Sequence, residues 1–366
     1  MGLLLAVLGL SFLIFFHELG HFLFARLFGV KVLIFSIGFG KKLFTWNYKD
    51  TQYALSIIPL GGYVKLKGED KDSISKDSET LDDSKYTQDS LTSKHPLKRI
   101  VIFLAGPFFN FIFAFMVYVC LFANGVTSYS DKAIVGDIGK EFGAYNILQK
   151  YDEILSVNDI KIEKFSDISP AINKENTHNN TAKLIVSRNT QLDNTKIDSV
   201  KSNQNRKIIE LIVPLSMQNN KMILGITPLA HIVYFSPIEI LQKAIIMVYD
   251  NMLIIYKGIR DILFGLIGIE NLSGVIGIAD VSAKAYNVGF INFILVLALI
   301  SVNLGVINLL PIPIVDGGQI LFTIYEWLTG RMLHERIANM LVLLGLSIII
   351  SLMLLGFYND IMRLTT

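Results

Sequence analysis

The chain has 366 residues, of which 52% are hydrophobic and 17% charged, and its formal net charge is +2. A mean hydropathy of +0.50 is well above that of a soluble domain and predicts a protein with several membrane spans. The near-neutral charge gives no reason to expect a nucleic-acid partner. The single cysteine, Cys120, excludes an internal disulfide and a thiolate zinc site, so any zinc here needs histidine and carboxylate ligands.

The first predicted membrane span, residues 3–28, carries the sequence His-Glu-Leu-Gly-His. His17 and His21 are four residues apart and share one face of a helix, which is the spacing that two zinc ligands need. Glu18 can then act as a general base on a water at the metal. Buried histidines satisfied by neighbours are the structural alternative. Because each charged side chain at bilayer depth costs about 2.5–3.5 kcal/mol on the insertion scale, the cluster favours a functional site.

The rest of the N-terminal membrane part, residues 1–127, contains three predicted segments. Residues 32–67 alternate apolar and polar side chains between glycine breaks, which predicts short strands of a membrane-associated β-rich segment. Residues 70–94 are rich in Ser, Asp and Lys and are expected to form a solvated, mobile loop. Residues 100–123 form the second predicted span.

A soluble β-rich domain is predicted for residues 128–230, a length that suffices for a core of its own. Residues 231–289 are assigned to an amphipathic helix and a linker. A capping box at Ser236–Glu239 begins this helix, and its charged residues share one face, so it lies on the membrane or on the bundle and is not a fifth span. The predicted strands of the soluble domain are 132–138, 153–157, 183–187, 207–215 and 222–227.

The C-terminal membrane part, residues 290–366, contains predicted spans at 290–310 and 338–358. A catalytic zinc needs a third protein ligand at membrane depth, and elimination leaves Asp316 in the segment Pro-Ile-Pro-Ile-Val-Asp-Gly-Gly. The prolines break the helix and the glycines permit close backbone approach. The alternative for Asp316 is an N-cap of a following helix.

Basic residues near the span ends predict the orientation in the membrane. Arg26 and Lys31 follow the first span, and Lys94 and Lys98 precede the second. This bias places the loop at 70–94 in the cytoplasm. The β-rich domain then faces the opposite, extracytoplasmic side, which is the periplasm if the protein is a multi-pass protein of a bacterial inner membrane.

Together these motifs resemble the site-2 protease family of intramembrane zinc metalloproteases, in its bacterial RseP-like branch. The resemblance rests on the His-Glu-Leu-Gly-His cluster, on the NxxPxPxLDGG pattern at 308–318 with Val315 in place of Leu, and on the segments 58–65, 105–110 and 273–278. The soluble domain is similar to a PDZ domain over residues 143–159, with Tyr151 and Asp159 where that pattern prefers glycine.

The resemblance implies a polytopic α-helical membrane protein with four transmembrane helices, a membrane-associated β-hairpin or sheet, and one inserted PDZ-like domain. It implies Zn²⁺ held by His17, His21 and Asp316, Glu18 as the base, and Asn308 as a polar group that binds the substrate backbone or the oxyanion. The expected partners are the lipid bilayer and single-span membrane proteins, such as anti-sigma-factor-like regulators or remnant signal peptides. The PDZ-like domain would contact a peptide or an ectodomain.

Two other functions compete with this interpretation. One is a membrane-anchored PDZ scaffold with a catalytically dead site, which the intact histidine cluster argues against. The other is a metal transporter, which would need polar residues along a path, and the second and fourth predicted spans have almost none.

Overall fold

The computed structural model describes residues 2–69, 87–174, 180–189, 206–218, 221–268, 270 and 272–365. The described part forms two compact units, one of residues Met1–Ala123 with Ser236–Thr366 and one of residues Asn124–Phe235. The α-helices in the described residues are α1 (Gly2–Leu27), α2 (Pro96–Ala123), α3 (Ile168–Lys174), α4 (Pro237–Leu263), α5 (Val275–Val288), α6 (Phe290–Asn308), α7 (Asp316–Thr329) and α8 (Glu335–Thr365). The strands are β1 (Val32–Tyr48), β2 (Thr51–Leu66), β3 (Val126–Tyr129), β4 (Val135–Ile138), β5 (Glu153–Val157), β6 (Ile160–Lys161), β7 (Thr181–Asn189), β8 (Arg206–Pro214), β9 (Ser216–Gln218), β10 (Lys221–Ile223), β11 (Ile226–Pro228) and β12 (Ala230–Val233).

Four helices of the described chain, α1, α2, α6 and α8, are long and apolar enough to cross a membrane. They coincide with the four predicted spans, and this fits a polytopic membrane protein. Helix α2 begins at Pro96, four residues before the predicted start, because proline is well tolerated at the first helical position. Helix α6 ends at Asn308, directly before the proline-containing segment that cannot continue it.

The β-rich segment after α1 contains two long strands of 17 and 16 residues, so the expectation of short strands was wrong. The strands fold back on themselves. Residues 34–37 of β1 pair with residues 52–55 on one side and with residues 62–65 on the other. Gly38 and Gly40 have φ of +90° and +84°, a backbone conformation that glycine adopts without strain, and they allow this bend.

The structure describes the last eight residues of the loop predicted at 70–94. Residues 70–86 lie outside the described residues, but residues 87–94 form a turn that is tied to the sheet. The Leu91 amide donates to the Lys67 carbonyl at 2.7 Å, the Lys31 amide donates to the Asp89 carbonyl at 2.8 Å, and Leu91 is buried. These backbone hydrogen bonds and one buried leucine hold residues 87–94 against the sheet.

The second unit is β-rich and carries its own hydrophobic core. Its largest sheet has the strand order β6-β5-β7-β8, and Ile154, Leu184 and Val213 are buried in the core. Tyr151 and Asp159, where the PDZ pattern prefers glycine, have φ of +76° and +63°. Both positions thus adopt the left-handed conformation that explains a preference for glycine there.

Helices α4 and α5 complete the first unit. The predicted capping box is present at the start of α4, and the helix packs on α2 and α6 through Ala244 and Val248. Helix α5 was not predicted, since its residues were assigned to a linker. A residue of α8, the buried Asp360, caps the first turn of α5. Its carboxylate accepts hydrogen bonds from the Gly274 and Gly277 amides at 3.1 and 2.8 Å.

Candidate metal centre

The first two membrane helices meet at a very close crossing. A Cβ atom on Gly20 would collide with the backbone of Ala105, and one on Gly106 would collide with the His21 ring and lie 2.8 Å from His17 Cε1. Small residues let membrane helices approach closely, since the backbones can then touch. Gly106 thereby leaves room for the two imidazoles between α1 and α2.

Both imidazoles and one carboxylate converge on a single point. His17 Nε2 lies 3.2 Å from His21 Nε2 and 3.2 Å from Asp316 Oδ2, and His21 Nε2 lies 3.3 Å from Asp316 Oδ1. The two histidines are buried and Asp316 is nearly so. These three residues form the only group of three potential metal ligands found in the described part of the chain.

This geometry fits a zinc ion. Zinc binds nitrogen and oxygen ligands at about 2.0–2.2 Å in a tetrahedral arrangement, which places the ligand atoms about 3.3–3.6 Å from one another. The measured separations are close to that value. In addition, Asp316 Oδ2 is buried and accepts no well-directed hydrogen bond from the described residues, a costly state that a metal ion would relieve. The three residues could therefore hold zinc.

Contacts from α2 fix the orientation of both histidine rings. His21 Nδ1 lies 2.8 Å from the Ile102 carbonyl oxygen, to which it can donate. His17 Nδ1 lies 3.0 Å from the side-chain nitrogen of the buried Asn110. The Ile102 carbonyl places the His21 proton on Nδ1 and leaves its Nε2 free to face a metal, whereas the Asn110 amide holds the orientation of the His17 ring.

The segment between α6 and α7 brings Asp316 to the histidines. Pro311 and Pro313 interrupt the helix, and α7 starts at Asp316. Cβ atoms on Gly317 and Gly318 would collide with the carbonyl oxygens of Leu310 and Ile312, so both glycines are needed for this tight return. Asp316 is the first residue of α7 and Val315 is its N-cap, so the alternative N-cap role of Asp316 is wrong.

A cavity of about 510 Å³ opens beside the three residues. Glu18 and Asn308 line it together with His17, His21 and Asp316. The Asn308 side-chain nitrogen lies 3.3 Å from His17 Nε2. The structure thus brings together all five site residues that were predicted from the sequence.

The residues of α2 that position the histidine rings were not predicted from the sequence. Gly106 and Asn110 were noted only as parts of a family segment, and the Ile102 carbonyl was not considered. The polar Asn110 in the middle of an apolar span was the one available signal, by the same argument that singled out the histidines. Its partner could not be inferred, because the contact depends on the register between α1 and α2.

Helices α1, α2 and α6, three of the four that are long and apolar enough to cross a membrane, enclose a buried site with two histidines, a carboxylate and an adjacent glutamate. This combination defines a metallopeptidase within a membrane protein. A sequence model of peptidase family M50, the site-2 protease family, matches residues 5–352. The chain belongs to this family, as the resemblance predicted.

Curated relatives agree with this assignment over nearly their whole length. A Campylobacter jejuni protein named "Putative zinc metalloprotease" is 39% identical over 99% of this chain and 93% of its own. A Helicobacter pylori protein of the same name is 38% identical over 99% of both chains. The "Regulator of sigma E protease" of Haemophilus influenzae is 26% identical over 98% of both. The predicted enzyme class, a metalloprotease that uses zinc, is confirmed.

Proposed function

We propose that this protein is an intramembrane endopeptidase that cleaves membrane-spanning segments of single-span proteins. The observation that carries the proposal is the convergence of His17, His21 and Asp316 inside a bundle of membrane-spanning helices, with Glu18 lining the same cavity. A hydrolytic site enclosed by such helices can reach a peptide bond only if that bond also lies in or next to the membrane.

In this proposal His17 and His21, through Nε2, and Asp316, through its carboxylate, hold the zinc ion. Bound zinc would polarise the scissile carbonyl and make an attacking water more acidic. Three protein ligands leave a fourth position open, as catalytic zinc sites require. Asn110 and the Ile102 carbonyl hold the histidine rings so that both Nε2 atoms keep facing the point where the metal would bind.

Glu18 has the role of general base. Its position next to His17 in the sequence puts its carboxylate at the cavity wall rather than in the ligand set. It takes a proton from the attacking water and returns it to the leaving amine. Asn308 offers an amide donor 3.3 Å from His17 Nε2, close enough to hydrogen-bond the substrate carbonyl as negative charge develops on its oxygen.

Strand β2 offers a way to bind the substrate. A helical substrate hides its carbonyls in its own hydrogen bonds and must be unwound before hydrolysis. Residues 62–66 pair with β1 on one side and with no further strand of the described chain, and Gly62, Tyr63 and Val64 line the cavity. An extended substrate segment would add to this edge as a further strand.

The proposed substrate class is supported by the family resemblance, and the proposed orientation by the basic residues at the helix ends. Single-span regulators of the anti-sigma-factor type, or remnant signal peptides, are the proposed substrates in a bacterial inner membrane. Arg26, Lys31, Lys94 and Lys98 mark the cytoplasmic end of α1 and α2. The unit Asn124–Phe235 would face the periplasm as a PDZ-like domain that contacts a substrate peptide or ectodomain.

Co-expression tests the proposed function. Candidate single-span proteins would be expressed with the wild-type chain, with Glu18→Gln, or with the control Asp280→Ala, whose carboxylate pairs with Lys284 outside the site. We expect uncut substrate to accumulate only with Glu18→Gln. Equal processing by the wild type and Glu18→Gln would contradict the proposed role of the site.

A further inference from the structure

A second cavity lies next to the metal centre. Its volume is about 410 Å³, and it is bounded by the ends of β2, α2, α7 and α8. Glu69, Phe103 and Ile314 line both cavities, so these three side chains form the wall between them. The second cavity contains neither His17 nor Asp316, so the hydrolytic site described above does not account for it.

One side chain in the wall of the second cavity, Arg99, is positively charged and has an N–H donor without an acceptor in the described part of the chain. Arg99, in the first turn of α2, is only 12% exposed, and its Nη1 donates to Glu326 Oε2 at 2.7 Å. Its Nε is buried and has no acceptor among the described residues. A guanidinium group binds a planar carboxylate through two parallel N–H donors. Arg99 can therefore donate to a second carboxylate besides that of Glu326.

Hydrolysis creates such a carboxylate. When water cleaves the peptide bond, the C–N bond breaks, the hydroxyl adds to the carbonyl carbon and the amine takes a proton. The amino-terminal fragment therefore ends in a new carboxyl group that ionises and that the substrate did not have. At bilayer depth a free carboxylate costs several kcal/mol, so the product needs a cation close to where it forms.

We propose that the second cavity is a product site, in which Arg99 binds the new carboxylate of the amino-terminal fragment before that fragment leaves the enzyme. The inference rests on the proposed endopeptidase function. It assigns Arg99 and the second cavity to the release of product, a step that comes after hydrolysis and that does not involve the zinc ligands.

The first experiment separates hydrolysis from release. A fluorophore and a quencher flank a single-span peptide taken from a protein that accumulates uncut with Glu18→Gln. Ala338 lines the second cavity, whereas Met340, two residues on in α8, is 66% exposed and does not. With enzyme in excess, Ala338→Phe and Met340→Phe should both cut the peptide at the wild-type rate. With substrate in excess, only Ala338→Phe should turn over more slowly.

The second experiment tests the ligand and uses the wild-type enzyme. The amino-terminal product is synthesised with a free carboxylate or with a carboxamide, and each is measured as an inhibitor. The carboxylate should inhibit about tenfold more strongly, the effect of one hydrogen bond to a charged group. Arg99→Gln should abolish the difference. Glu326→Gln breaks the same ion pair but keeps the arginine, and it should preserve the difference.

Two results would overturn the product site. One is equal inhibition by carboxylate and carboxamide in the wild type. The other is an equal slowing of the first and later turnovers in Ala338→Phe, which would indicate that the cavity supplies water or supports the fold. Failure of the wild type to cut the peptide at all, even with enzyme in excess, contradicts the proposed endopeptidase function instead.

Discussion

His17 and Asn110 meet behind the metal centre, where the histidine Nδ1 lies 3.0 Å from the asparagine side-chain nitrogen. A histidine that binds metal through Nε2 carries its proton on Nδ1 and donates it to a neighbour. The Asn110 amide oxygen is buried and has no donor among the described residues. A half-turn of this amide makes the oxygen the acceptor, so metal binding would satisfy both groups at once.

Replacing Asn110 with alanine should therefore weaken zinc binding. We expect a loss of about 10–100-fold in zinc affinity, since His17 would lose the group that orients it. Competition with a chromogenic chelator measures the affinity. Asn110→Asp keeps an acceptor and should stay close to the wild type, as should Asn292→Ala at the exposed start of α6. Unchanged zinc affinity in Asn110→Ala would show that the contact does not orient His17.

Gly106→Ala should displace the imidazoles. The added Cβ would overlap the His21 ring and lie 2.8 Å from His17 Cε1, so the helices must separate or the rings must turn. Overpacking of this kind costs about 1–3 kcal/mol. We expect a lower unfolding temperature and a loss of cleavage activity. Gly258→Ala in α4 is the control, because a Cβ there meets nothing within 4 Å. This control should leave cleavage activity unchanged and should leave the unfolding temperature unchanged or raise it slightly.

Asp360→Ala should weaken the contact between α5 and α8. The variant removes two charge-assisted hydrogen bonds to the first turn of α5, each worth about 1.5–3 kcal/mol. We expect a clear drop in the unfolding temperature of the detergent-solubilised protein. Asp280→Ala, which breaks only the Lys284 pair within a single helix, should change it by far less. Similar drops in both variants would mean that the Asp360 cap is not what stabilises α5.

The sequence predicted those parts of the site that depend on local geometry. The i, i+4 spacing of His17 and His21 is a property of one helix, and the Pro and Gly residues around Asp316 predict that the helix is interrupted there. Asn110 and Gly106 act through the packing of α2 on α1, which no local pattern encodes. Helix α5 was missed for a similar reason, since its cap is Asp360, more than eighty residues further along the chain.

Orientation in the membrane is tested by cysteine labelling. Replacing Cys120 with alanine gives a background without native thiols, because it is the one cysteine of the chain. In intact cells, an impermeant reagent should modify a cysteine at Asn180, in the proposed periplasmic unit, and spare one at the exposed Ser93. Lysed cells serve as the control, in which both should react. The reverse pattern in intact cells would contradict the proposed orientation.

The central claim is that His17, His21 and Asp316 hold the zinc ion while Glu18 acts only as the base. The most direct measurement is zinc content after dialysis against a mild chelator, determined beside cleavage activity in the purified variants Glu18→Gln and Asp316→Ala. Glu18→Gln should keep one zinc per chain and lose cleavage. Asp316→Ala should lose both, because two imidazoles are too few for a stable catalytic site. Full zinc in Asp316→Ala, or loss of zinc in Glu18→Gln, would contradict this assignment.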